Sequence, residues 1–157
     1  MTEQEMKNLV GRVVDSVINN GSITLETANA LIEKVKAKAE EIGVKAVVAV
    51  ADASANPVSV QCMDGAFIAS YDIAFNKAYT VTALKMPTTT LSKLAAPGGS
   101  LYGVQFTNQG RIVIFGGGVP LYNKHGQIVG GLGVSGGSES EDTFLAEYGA
   151  EVFSKGN

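Results

Sequence analysis

Residues 115–137 read FGGGVPLYNKHGQIVGGLGVSGG and hold nine of the nineteen glycines, the one histidine (His125) and one of the four prolines (Pro120). Within them Gly131, Gly133 and Gly136 spell G-x-G-x-x-G, the spacing of a dinucleotide-binding turn. That fingerprint requires a strand, a tight turn, a helix, and a second parallel strand ending in an acidic residue about twenty positions on. After Gly136 the sequence carries a single helical pattern, and Gly131 and Gly133 alternate with Leu132 and Val134 inside a strand pattern. The glycines are therefore read as structural, one bare face of a strand that lets a neighbour come close. No NAD site is expected, and acidic Glu139, Glu141 and Asp142 would repel a phosphate at the following helix start.

Working outward, Asn123-Lys124-His125-Gly126 reads as a tight hairpin turn joining Val119–Tyr122 to Gln127–Val134. Upstream, Arg111 to Phe115 alternates and predicts a further strand, with Gly116, Gly117 and Gly118 bending the chain between the two. Downstream, Ser138-x-x-Glu141 is a capping box for a closing helix with the stripe Phe144, Leu145, Tyr148 and Val152. Toward the N-terminus, Met6, Leu9, Val10, Val13, Val14 and Val17 form one helical stripe, stopped by Asn19-Asn20-Gly21. Thr24 caps a second helix with the stripe Ala28, Leu31, Ile32, Val35, Ala39 and Ile42. Lys45–Ala51 is apolar on both faces, as a central strand should be, and Asp52–Pro57 turns it into a partner strand. In that partner Val58, Val60 and Cys62 are expected on one face, making Cys62 a small buried hydrophobe rather than a reactive thiolate. Asp64-Gly65 should start a helix to about Leu84, with Asp64 as its cap and Ala66, Ser70, Ala74 and Ala78 as a flat ridge. Met86-Pro87 breaks it, the threonines at 88–90 cap a short helix to Leu94, and Pro97–Ser100 opens a loop suited to a ligand or subunit contact. The order is α-α-β-β-α-(α)-β-β-β-α, an α+β fold whose five strands, joined largely by hairpins, form an antiparallel sheet.

A chain of 157 residues is expected to be one domain, residues 1–157, able to bury roughly 70% of its unfolded surface without a disulfide or a structural metal. A lone cysteine, no secretory pattern in MTEQEMKNLV and no apolar run of about 18 residues predict a soluble cytoplasmic protein with no membrane contact. The net charge of −3 and two arginines argue against nucleic acid; Lys34, Lys36 and Lys38 read as a solvated helix face.

Few side chains suggest chemistry. His125, the one histidine, is the candidate metal ligand because imidazole is the side chain suited to that role, although a polar residue in a turn needs no functional reason. A single histidine excludes a multi-histidine metal site, and nothing like a nucleophile elbow accompanies it. Lys77, among small residues on its helix, could snorkel to the surface or bind a carboxylate. Tyr71, Tyr79, Tyr102 and Tyr122 could line a flat pocket or fill core and interface; Met63 and Met86 could ligate a haem iron or simply pack. The chain offers no paired base and nucleophile, so binding is favoured over catalysis.

Four segments together, VAVAD (48–52), MDGAFIASYDIAFNKAYT (63–80), FGGGVPL (115–121) and GQIVGGLGVSGGSESED (126–142), resemble the GlcG/HbpS-like family, which also supplies the C-terminal domain of PduO-type cobalamin adenosyltransferases. The resemblance runs from the second helix to the last. It implies a profilin-like α-β-α sandwich with a central five-stranded antiparallel sheet, self-association into homo-oligomers that are often octamers, and haem or a related tetrapyrrole as ligand. Some members ligate haem through a histidine near the N-terminus, which this chain lacks. The adenosyltransferase domain is absent, so neither ATP nor corrinoid chemistry is expected. Asp64, Gly65, Lys77, Gly116, Gly117, Gly118 and Pro120, the motif residues, are the expected wall of a small-molecule pocket. The alternatives are an accessory or scaffold subunit of a glycolate, glycerol or diol utilisation system with no ligand of its own, and an enzyme acting on a small hydroxy or diol metabolite.

Overall fold

Valine and alanine on both faces make β1 (Val47–Asp52) a strand that must be covered on both sides, and it is: Val47 to Ala51 are all buried. The computed structural model describes residues 1–19 and 21–156 and places β1 beside β2 (Pro57–Cys62) and β4 (Ile128–Ser135), with β3 (Gly118–Tyr122) beyond β4. All neighbours are antiparallel, in the order β2-β1-β4-β3. On one face lie α2 (Leu25–Glu41) and α5 (Glu139–Lys155); on the other lies α3 (Ile68–Leu84), followed by the short α4 (Thr88–Leu94). The result is an α-β-α sandwich. Val48, Val50, Leu132 and Val134 point into the α2–α5 core, while Val47, Ala49 and Ala51 meet Ala74 and Ala78 of α3.

The two cores differ in thickness for a reason visible in β4. Gly131 and Gly133 face α3, and a Cβ on Gly133 would lie 2.1 Å from the Ala74 carbonyl oxygen and 2.7 Å from the Ala78 nitrogen. Backbone meets backbone there. The expected ridge of small residues on α3 packs against a strand face with no side chains, closer than ordinary helix–sheet packing would allow.

Helix ends follow the sequence. The Thr24 hydroxyl accepts from Thr27 N, and the Ser138–Glu141 capping box is complete in both directions. Replacing Ser138 with alanine is expected to cost about 1 kcal/mol, read as a shift in the urea midpoint at unchanged slope; an unmoved midpoint would show that the cap adds nothing. α1 (Glu3–Asn19) stands apart. Its expected stripe exists, yet Met6, Leu9, Val10, Val13 and Val14 are 42–54% exposed. Asn20 of the expected helix stop, and the side chain of Val17, lie outside the described residues.

Four expectations need correction. The sheet has four strands among the described residues, not five: residues 111–115 form no ladder. A helix side chain takes the place of a strand partner, since Val113 N donates to Thr80 Oγ1, whose own hydrogen is shared between the Asn76 carbonyl at 2.7 Å and the Arg111 carbonyl at 3.3 Å. The alternation that suggested a strand reflects a segment lying along α3, with Ile112 turned inward. Cys62 is exposed, because it is the last residue of β2, an edge strand whose register with β1 slips only at its other end, between Val50 and Ala51. That bulge separates the two valines, Val58 packing toward the α2–α5 core and Val60 toward α3. Asp64 caps nothing: α3 begins at Ile68 with Phe67 at its N-cap, and Asp64-Gly65 is a turn with Gly65 at φ +85°. Finally, the Thr88 hydroxyl serves the sheet rather than α4, accepting from Gly118 N at 2.9 Å. No helix among the described residues is long and apolar enough to cross a membrane.

Candidate functional site

The α3 start, the segment before β3 and the β4–α5 turn converge at one end of the sheet. Between them lies a cleft of about 350 Å³ lined by Phe67, Ser70, Ile73, Phe115, Ser135, Glu139 and Asp142 among others. Phe67 and Phe115 stand at its mouth, 71% and 41% exposed. Ser70 and Ser135 are buried at its base, their hydroxyls 3.0 Å apart.

Lys77 lies beneath this base, fully buried. Its Nζ donates to the Val134 carbonyl at 2.8 Å and to Asp142 Oδ2 at 3.2 Å, and sits 5.1 Å from the centre of the Phe115 ring. Asp142 Oδ1 accepts from Gly137 N at 2.8 Å. Lys77 thus neither snorkels nor waits for a ligand; its carboxylate comes from the first turn of α5. Burial pulls the Lys77 ammonium below its ordinary value and pushes the Asp142 carboxyl above its own, while their mutual attraction opposes both effects. Gly117 makes the arrangement sterically feasible: at φ +117°, a Cβ would lie 2.6 Å from Nζ.

The glycine run therefore has three separate duties. Gly116 N donates to Glu139 Oε1 at 2.8 Å, Gly117 leaves room for the ammonium, and Gly118 begins β3. Of the residues expected to form a pocket wall, Lys77, Gly117 and Gly118 come together behind the cleft, with Gly116 held by Glu139, but none of the four lines it. Asp64 and Gly65 lie in the exposed turn before α3, and Pro120 is buried opposite Gly131 within the sheet. His125 occupies the exposed β3–β4 turn. Ser135 lies at the far end of β4, seven residues from Ile128 or about 23 Å, so His125 cannot reach the cleft of its own chain. The four tyrosines do not gather: Tyr71 and Tyr79 lie on α3, Tyr102 in the loop beyond α4, and Tyr122 at the end of β3. Met63 packs against the α2–α5 core, and its sulfur accepts from Ala46 N.

Sequence reading missed Phe115, Ser70, Ser135 and Asp142 as a group. A lysine among alanines on a buried helix face was the available signal, because such a cation demands a buried carboxylate somewhere. Chemically, the cleft offers flat apolar walls over a satisfied polar floor. The two serines hydrogen-bond each other, and the two carboxylates that share the cleft are engaged elsewhere, Glu139 with Gly116 N and Asp142 with Lys77. No group of three or more potential metal-ligating His, Cys, Asp or Glu residues occurs there either.

The HbpS-like family model, described as a haem degrading protein HbpS-like family, matches residues 23–151. An uncharacterised 15.0 kDa protein from the dhaT-dhaS intergenic region of Citrobacter freundii is 46% identical over 134 residues, 85% of this chain and 94% of that one. The corrinoid adenosyltransferase PduO of the same organism is 36% identical over 80% of this chain, which spans only 37% of that longer protein. Among solved structures, the Klebsiella pneumoniae protein ORFY superposes with a TM-score of 0.81 at 44% identity, covering 83% of this chain and 90% of that one. A PduOC–haem complex superposes at 0.79 and 33% identity, covering 83% and 94%. All of these alignments leave part of the chain unmatched, and the family match begins after α1.

Proposed function

Because the chain belongs to the HbpS-like family, we propose that it is a cytoplasmic, homo-oligomeric protein that binds haem or a related tetrapyrrole in the cleft between α3 and the β4–α5 turn. The observation that carries this reading is the cleft itself, two phenylalanines facing a satisfied polar floor, in a fold shared with a haem-bound relative. Its volume of about 350 Å³ lies within the range of small-molecule sites. The lining fits the apolar disc of a tetrapyrrole. Because it contains no histidine, cysteine, methionine or tyrosine, this chain would hold the disc by its faces and leave the iron to hydroxyl or carboxylate oxygen. Self-association is supported by the apolar side chains left in water, including Ile68 at 97% and Phe106 at 84% exposure. An octamer is the size that family resemblance suggests.

Hemin titrated into the pure protein should give a saturable Soret shift. Phe67→Asp should weaken it by at least about tenfold, since a charge replaces an apolar wall. Aspartate at an exposed N-cap is well tolerated, so this variant should fold. His125→Ala should leave the band unchanged. Free-hemin spectra with wild type would remove the haem reading, and full-strength binding by Phe67→Asp would move the ligand out of the cleft.

The accessory-subunit reading has one observation in its favour, the uncovered apolar face of α1. A stable oligomer that ignores hemin and melts at the same temperature with every ligand tried would favour it.

A further inference from the structure

Arg111 is the one arginine outside α1, and its surroundings differ from those of an ordinary surface cation. Its guanidinium carbon lies 3.6 Å from the centre of the Tyr79 ring and 5.8 Å from that of Phe75. Nε reaches Asn76 Oδ1 at 3.5 Å, while Asn76 itself donates to Asp72. Among the described residues, no carboxylate lies within 4.0 Å of the guanidinium, and its two terminal nitrogens have no hydrogen-bond partner. A charged fork is thus held over an aromatic ring with its outer donors free.

The backbone is fixed as firmly. The Arg111 carbonyl accepts from Thr80 Oγ1, and Arg111 N donates to the Asn108 carbonyl. Asn108, Gln109 and Gly110 stand consecutively at φ +50°, +59° and +75°, a left-handed run that side chains other than glycine adopt at a cost. Nearby, Gln105 Oε1 is buried without a hydrogen-bond partner. The Tyr79 hydroxyl donates to Asn108 Oδ1 and ties this costly loop to the ring beneath the guanidinium. Strain of this kind collects where a side chain must be presented in one orientation.

Tyr71, Phe75 and Tyr79 recur at every fourth position on α3, and the Tyr71 and Phe75 rings lie nearly parallel, 5° apart with centroids separated by 6.4 Å. They form an aromatic strip running away from the guanidinium. We propose that the outer face of α3 carries a binding site for a flat organic acid, whose carboxylate is gripped by the Arg111 fork and whose apolar body lies along Phe75 and Tyr71. A planar guanidinium matches a carboxylate through two parallel hydrogen bonds, which a lysine cannot reproduce. This site shares no residue with the lining of the cleft and does not depend on the haem reading.

Calorimetric titration with 2-naphthoate, and with the neutral 2-naphthalenemethanol, tests this. Naphthoate should bind saturably, one per chain, and the alcohol should bind at least about tenfold more weakly, given the strength of charge-assisted bonds. Arg111→Gln should lose at least that factor, and Arg111→Lys, which keeps the charge, should recover only part of it. Melting curves establish that each variant folds, and Arg111→Lys decides the matter if Arg111→Gln does not. No saturable naphthoate binding, equal affinity for acid and alcohol, or undiminished binding by the variants would each overturn the proposal. So would dissociation of an oligomer by Arg111→Gln with naphthoate binding unchanged, which would place Arg111 against a second copy of the chain.

Discussion

Alanine at position 133 is expected to destabilise the protein by about 3 kcal/mol or more, through overpacking. The added carbon would lie 2.1 Å from the Ala74 carbonyl oxygen, 2.7 Å from the Ala78 nitrogen and 2.9 Å from the Lys77 Cβ. Two of these are backbone atoms of a helix, so no rotamer change relieves the clash. α3 would have to retreat by roughly 1 Å to restore ordinary contact. Because Lys77 rides on that helix, the retreat would also stretch its bonds to Val134 and Asp142. For a chain of this size the melting temperature should fall by roughly 6–12 °C. Gly11 provides the contrast: it sits in α1 with nothing within 4 Å, and alanine there should leave the melting of the sandwich unchanged. If both variants melt like wild type, the close approach of α3 to β4 is not a constraint.

The second large effect is expected from Asp142→Asn. The substitution preserves shape and the acceptor for Gly137 N, but leaves the Lys77 cation buried without its paired carboxylate, with only the more distant Glu139 to oppose its burial. Removing one partner of such a pair costs about 3–5 kcal/mol. The pH dependence identifies the cause. Burial already holds Lys77 below its ordinary 10.5, and loss of the carboxylate removes the main opposing influence, so the depression deepens. The folded variant then releases its proton at a pH where the unfolded chain still holds one. Stability of the variant should therefore rise with pH, from the lowered folded value up to 10.5, and fall as pH drops through that folded value. Asp142 acts in the opposite direction in wild type. Its carboxyl is raised above the ordinary 3.8, so its contribution is greatest below 3.8 and declines as pH climbs through the raised value. Urea titrations at pH 7 and pH 9.5 should show the gap between wild type and Asp142→Asn narrowing. The double variant Lys77→Met/Asp142→Leu should recover most of the loss, since an apolar pair needs no desolvation. A loss below about 1 kcal/mol, or parallel pH profiles, would mean that water reaches the pair.

How much of this was legible beforehand depended on the range of the interaction. Thr24, Ser138 and Glu141 announced helix starts because a cap is satisfied within four residues. Gly131 and Gly133 announced a bare strand face, and Ala74 and Ala78 the ridge that meets it, because each pattern has the period of its own element. Arg111–Phe115 misled because alternation records which side chains are buried, and a segment lying on a helix alternates as a strand does. Val58 misled because one slipped residue in the β1–β2 register reverses every face assignment beyond it.

By itself, the sequence determined the sandwich: periods of two and of three to four, caps, turns and glycine faces are local or pairwise, and together they layer the helices after α1 on an antiparallel sheet. Family resemblance could be read from the same segments. Only the tertiary structure decided what the opening stretch is for. Residues 115–118 and 135–137 lie far from Lys77 along the chain, so no spacing rule could reveal that the glycine run makes room for a buried ammonium held by Asp142. Nor could one show that His125 is a strand's length from that place, or that Arg111 lies on Tyr79 with its outer donors free. Such facts depend on which distant residues share a cavity, and that is fixed only when the layers close.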